Sequence, residues 1–225
     1  PPEQDATSVA RLRSAGALMV GKTNMHEIGL GVTGLNIQYG TTRNPHHLDH
    51  YPGGSSSGSA AAVAAGLSPI ALGCDGGGSI RIPASLCGVV GLKVTWGRVS
   101  TAGSAPLHWS IGSVGPITST AHDAAIAYSY LAGPDKRQSF TQDQPAVDLK
   151  YFENTNLEGI KLGIFNKWFN HASEDVVKCC EQMLNSFISQ GAEVKEIEIP
   201  HLDEIRVSHA VTIATEMFTS LKKFL

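Results

Sequence analysis

With 225 residues, 42% of them apolar, the chain can form one large domain or two small ones and bury a real core, which excludes a disordered or fibrous class. A formal net charge of −3 and the absence of any Lys or Arg run exclude an electrostatic drive toward nucleic acid or another polyanion. The longest weakly polar stretch, Ala60 to Leu72, is mostly Ala and Gly, contains Pro69 and falls short of the roughly 20 apolar residues of a membrane helix, so no transmembrane span is expected.

In chain order, Asp5 can cap a helix whose Ala6, Val9, Ala10, Leu12 and Leu18 fall on one face, with Gly16 as a stop. Ala17–Asn24, ALMVGKTN, then reads as a short buried strand. A Gly-rich loop with an Asn44-Pro45 turn follows to Tyr51. Ser55 to Ser59 open an Ala-rich helix that ends near Gly66. Pro69–Asp75 is a buried strand, Gly76–Ser79 turns into a second short helix ending near Gly88, and Val89–Val94 is the next strand. After a loop from Trp96 to Pro116 comes a helix from Thr120 to Leu131, stopped by Gly133 and Pro134. Asp135 to Glu158 reads as a polar surface excursion.

The last third reads as β-α-β: a strand in LEGIKLGIF, a helix capped by Ser173, and a strand in AEVKEIEI that would extend the sheet. On that helix Val176, Val177, Cys180, Met183, Leu184, Phe187 and Ile188 form an apolar face expected in the core. A helical pattern, TEMFTSLKKFL, closes the chain. Apolar strands alternating with helices predict an α/β fold: a mixed, largely buried sheet covered by helices on both faces. Pro1 at one end and an unstopped helix at the other lead us to expect a single domain over 1–225 that is incomplete at both ends. Four cysteines, Cys74, Cys87, Cys179 and Cys180, show no C-x-x-C pair, which favours a reducing compartment.

Two loops rich in Gly and Ser, Gly53–Ser59 and Gly73–Ser79, carry the chemical signal. Such turns expose backbone N–H groups, which suit a bound phosphate or a developing oxyanion. No Lys follows the glycines as a phosphate loop demands, and neither loop is a G-x-G-x-x-G opening a long helix. For either loop alone the default reading is that its glycines merely permit close packing of helix on strand.

Together, GGSSSGSAAAVAAG and GCDGGGSIRIPASLCGVVGLK resemble the amidase signature family of serine amidohydrolases. The likeness runs from about Ala10 to Gly133 through GKTNMHE, TTRNP, GRVS and VGPIT. MHEIGLGVTGLN and Gly76 are more loosely similar to its plant fatty acid amide hydrolase branch. The resemblance implies an acyl-enzyme mechanism with Ser79 as nucleophile and Ser55 as bridging serine, 24 positions apart. It further implies a cis peptide at Gly54-Ser55, an oxyanion hole from the amides of Gly76, Gly77, Gly78 and Ser79, and support from Ser56, Asp75 and Arg81. No metal or cofactor is implied, and the partner would be a small-molecule amide, with a homodimer and membrane association left open.

In the family a neutral lysine drives Ser79 through Ser55, and it lies roughly 75 positions before the bridging serine, about 20 upstream of Pro1. Lys22 precedes Ser55 by only 33 positions, so it reads as structural, and Lys93 in GLKVT as a packing position. His46, His47 and His50 read as a solvated surface rather than a metal site. Cys74 and Cys87 read as small apolar side chains, while Leu107 and Trp109 could line an acyl pocket or simply pack. A non-catalytic fragment lacking the lysine and the amidase subunit of a transamidation complex stand beside the hydrolase reading.

Overall fold

The computed structural model describes residues 3–150 and 152–222. The chain divides into two compact units, one of residues 1–148 and 209–225 and one of residues 149–208.

The first unit is built on a three-stranded antiparallel sheet ordered β1 (Ile70–Asp75), β3 (Ser113–Thr118), β2 (Val90–Gly91). Its register sets Ile70 opposite Thr118 and Asp75 opposite Ser113, with Val90 also facing Thr118. All six residues of β3 are buried. Side chains three apart on a strand point to opposite faces, so Val114 and Ile117 divide the core in two. Val114 joins Leu12 of α1 (Thr7–Ser14), Leu131 of α4 (Ala121–Leu131), Val94 and Val99. Ile117 joins Ala60 and Val63 of α2 (Ser57–Ala64), together with Ile80 and Cys87, which flank α3 (Arg81–Leu86). Helices therefore cover both faces of the sheet around its buried central strand, as the α/β reading expects, with β2 and all of β1 but Asp75 half-buried.

Where the sequence places a strand at Ala17–Asn24, none forms: Leu18 and Val20 are 90% and 83% exposed. An extended apolar run becomes a strand only where a neighbour takes up its N–H and C=O groups, and no described strand lies alongside it. Conversely, β3 emerges from what reads as loop. The stretch after Leu131 is less superficial than its polarity suggests, because Asp135 and Thr141 are buried. Asp135 accepts hydrogen bonds from Thr7, from Ser100 Oγ at 2.6 Å and from the Arg137 amide at 2.9 Å, which ties α1 to the segment after α4. Burial opposes its ionisation, but these hydrogen bonds prevail and hold the carboxyl down at about 2.

In the second unit, β4 (Lys161–Ile164) and β5 (Glu193–Glu196) pair in parallel around α6 (Glu174–Ser189), preceded by the single turn α5 (Asn166–Phe169). They form their own two-stranded sheet rather than extending the first. None of the apolar face of α6 is buried within the core: Val177, Leu184 and Phe187 are half-buried, while Val176 and Met183 are 52% and 60% exposed. Two four-residue strands are too narrow to cover so wide an apolar stripe. The last helix, α7 (Leu202–Leu221), takes in Thr215–Leu221 of the closing pattern read from the sequence, whose final three residues lie outside the described set. All four cysteines are free thiols, Cys179 and Cys180 exposed. Among the described residues no helix is long and apolar enough to cross a membrane.

Candidate active site

The Gly53–Ser59 loop is held by the segment before it. The His26 amide donates to the Ser55 carbonyl at 2.9 Å, the Gly58 amide to the Asn24 carbonyl at 2.9 Å, and Thr23 Oγ1 shares a 2.8 Å hydrogen bond with Ser59 Oγ. GKTNMHE is thus a backbone cradle for Ser55–Ser59, and Lys22 within it is exposed. Gly58 is the closest approach: a Cβ there would lie 2.5 Å from the Asn24 oxygen and 2.7 Å from its nitrogen. Gly58→Ala is expected to cost roughly 1–3 kcal/mol through overpacking against main chain that cannot rotate away. A thermal melt should fall by roughly 3–10 °C; an unchanged melt would show that the cradle yields.

The Gly54-Ser55 peptide is cis, as the resemblance implies. Ser55 is 4% exposed two residues before α2, and Ser56 and Ser57 beside it are also buried. Ser56 reaches across to β1, where its hydroxyl accepts from the Cys74 amide at 3.2 Å. Its own amide donates to the Ser79 carbonyl at 3.1 Å. That one hydrogen bond joins the two loops and places the bridging and nucleophile candidates on adjoining stretches of backbone.

The second loop closes on Asp75, the fully buried last residue of β1. Its carboxylate accepts from the Gly78 amide at 2.8 Å and the Ile80 amide at 3.1 Å, and from Arg81 Nε at 3.1 Å and a terminal Arg81 nitrogen at 3.0 Å. Burial works against the charge, but the Arg81 hydrogen bonds and the two amides outweigh it and hold the carboxyl below its ordinary range. Asp75 and Arg81 therefore clamp the turn from within. The Gly78 amide is engaged by Asp75 in this arrangement, while the amides of Gly76, Gly77 and Ser79 have no hydrogen-bond partner among the described residues. Ser79 itself is half-buried at the mouth of the turn.

Three features about the turn were not legible as such. Lys93 donates to the Asp75 carbonyl and, at 2.9 Å, to the Ile111 carbonyl. His108 lies against Gly76, where a Cβ would fall 2.6 Å from its Nε2, so only glycine admits the ring. Burial holds this imidazole below its ordinary range, with the Lys93 charge acting in the same direction. Glu216 of α7, 8% exposed, accepts from the Ser110 amide at 3.1 Å and from the Ser110 hydroxyl, pinning the loop that carries His108. None of the three sits in a spacing that signals a site.

A cavity of about 280 Å³ is lined by Cys74, Leu107, His108, Trp109, Gln138 and Phe140, and Phe140 stacks on Trp96 at 4.4 Å. Burial pushes the Cys74 thiol up, which suits its reading as a packing group. No group of three His, Cys, Asp or Glu among the described residues could hold a metal ion. His46 Nε2 instead meets the Cys87 carbonyl at 2.9 Å, and His47 and His50 pair with each other through Nδ1 at 2.8 Å.

The whole chain, residues 1–225, matches the Amidase family model. The chain belongs to the amidase family. It is 48% identical to a fatty acid amide hydrolase of Medicago truncatula, over 97% of this chain and 37% of that protein. A glutamyl-tRNA(Gln) amidotransferase subunit of Thermotoga maritima superposes with a TM-score of 0.92 at 38% identity, over 96% of this chain and 48% of that one. The peptide amidase of Stenotrophomonas maltophilia superposes with a TM-score of 0.88 at 34% identity, over 98% and 47%. This amidase-family chain thus spans less than half the length of these relatives.

Proposed function

We propose that the protein containing this chain is a serine amidohydrolase in which Ser79 attacks an amide carbonyl and Ser55 passes its proton on. The Ser56 amide bonded to the Ser79 carbonyl is the observation that carries this reading, because it fixes the two serine loops against each other. A hydroxyl is a weak nucleophile until a base takes its proton, and in the family that base is a lysine upstream of Pro1. The tetrahedral oxyanion would then meet the Gly76, Gly77 and Ser79 amides, with Gly78 joining once its amide turns from Asp75. Collapse of that intermediate expels the amine, leaving an ester on Ser79 that water hydrolyses.

A fatty acid amide or N-acylethanolamine is the substrate class we favour. Support comes from the Medicago truncatula relative and from the Leu107, Trp109 and Phe140 side chains around the cavity that His108 also lines. Fluorophosphonate labelling tests the reaction in a chain extended to the length of its relatives, with mass spectrometry locating the adduct. Modification at Ser79 with turnover of a fatty amide is the expected result; an extended chain that neither labels nor turns over amide would leave the non-catalytic reading standing. A second reading, the amidase subunit of a transamidation complex, rests on the Thermotoga maritima structure. It predicts ammonia release from Gln only with a partner protein present.

A further inference from the structure

The Lys93 ammonium sits beneath the Gly76–Ser79 turn, 25% exposed, donating to the carbonyls of Asp75 and Ile111 and lying 3.9 Å from the Asp75 carboxylate. The Asp75 carbonyl and the Gly76 N–H belong to one peptide group. In a trans peptide these two point in opposite directions. A donor that grips the oxygen from below therefore aims the N–H away from itself, toward the open side of the turn. The second grip, on Ile111, anchors Lys93 to the residue two before β3, so the turn cannot rotate without moving the sheet.

We propose that Lys93 is a positioning residue that orients and polarises the Gly76 amide as an oxyanion donor. This rests on the hydrolase reading above and adds a part to it. A full positive charge on the carbonyl oxygen draws electron density from the peptide nitrogen and strengthens the hydrogen bond its N–H gives, as in any chain of hydrogen bonds that polarise one another. His108 completes the arrangement by closing the Cα side of Gly76, so the peptide is held from two directions. Arg81 engages the Asp75 side chain and Lys93 its main chain, so the two cations have separate tasks.

The test compares Lys93→Gln, which keeps a donor and loses the charge, with Lys93→Arg, which keeps both, circular dichroism first confirming that each folds. In the 225-residue chain, the Asp75 carbonyl carbon and Gly76 amide nitrogen resonances should move in Lys93→Gln and return toward wild type in Lys93→Arg. In the extended chain, Lys93→Gln should lower kcat by roughly 10- to 100-fold while KM stays within roughly threefold, and Lys93→Arg should recover part of the loss. A merely structural lysine would leave the kcat-to-KM split and those two resonances unmoved, and either result overturns the proposal. An extended wild-type chain without turnover sinks the parent reading and this one with it, whereas wild-type turnover with an undiminished Lys93→Gln kcat sinks this one alone.

Discussion

Ser79→Ala in the extended chain is expected to abolish fluorophosphonate incorporation and to lower amide turnover by roughly 10⁴-fold or more. The size follows from the proposed chemistry, in which without the hydroxyl no acyl-enzyme forms and the remaining turn can only stabilise attack by water. Ser55→Ala provides the contrast. It leaves the nucleophile in place but breaks the proton path, so labelling should persist at a much reduced rate. Because Ser55 is held through its carbonyl by the His26 amide, removal of its hydroxyl should leave the fold intact. Equal labelling rates for Ser55→Ala and wild type would remove Ser55 from the reaction, and retained turnover in Ser79→Ala would remove Ser79.

Asp75→Ala carries the largest expected effect on stability. Two buried amides, Gly78 and Ile80, would lose their acceptor at once, and each unsatisfied buried donor costs about 1–3 kcal/mol. A net loss of roughly 2–5 kcal/mol corresponds to a melting point lower by roughly 5–15 °C. Arg81 adds little to this figure, because its side chain is 54% exposed and recovers water. Since the folded pKa of Asp75 is depressed, its contribution is complete above the ordinary value of 3.8 and is lost as pH falls through the folded value. Melting points of wild type and Asp75→Asn, measured from pH 6 downward, should therefore converge in acid; parallel curves would show that the carboxylate charge contributes nothing.

Much of the site was legible because its signals are local. A run of Ala gives α2, although no serine side chain caps it, and clustered Gly and Ser give the two turns, one carrying Ser55 before α2 and the other Ser79 after Asp75 at the end of β1. Strand β3 was not legible, since SVGPIT carries both Gly115 and Pro116, and proline reads against a central strand. Its place is fixed by non-local pairing: the Pro116 carbonyl accepts from the Leu92 amide while the residue faces Leu72 on β1. The strand expected at Ala17–Asn24 failed for the converse reason, an apolar run without a pairing neighbour. Lys93 was visible only as packing, because its contacts are to carbonyls remote in sequence. Glu216 lies 106 positions from Ser110, a separation at which spacing carries no information.

The cradle beneath Ser55 has a consequence for how this region tolerates change. Asn24 and His26 reach Gly58 and Ser55 through their peptide groups, so two of the three links are indifferent to which side chain position 24 or 26 carries. Saturation mutagenesis there should leave both backbone links in place, with losses limited to the Asn24 side-chain hydrogen bond to the Gly40 carbonyl and the packing of the His26 ring on Gly31, and with a single sharp exception at position 26. A proline there lacks the N–H that grips the Ser55 carbonyl, and it alone would cut the tether.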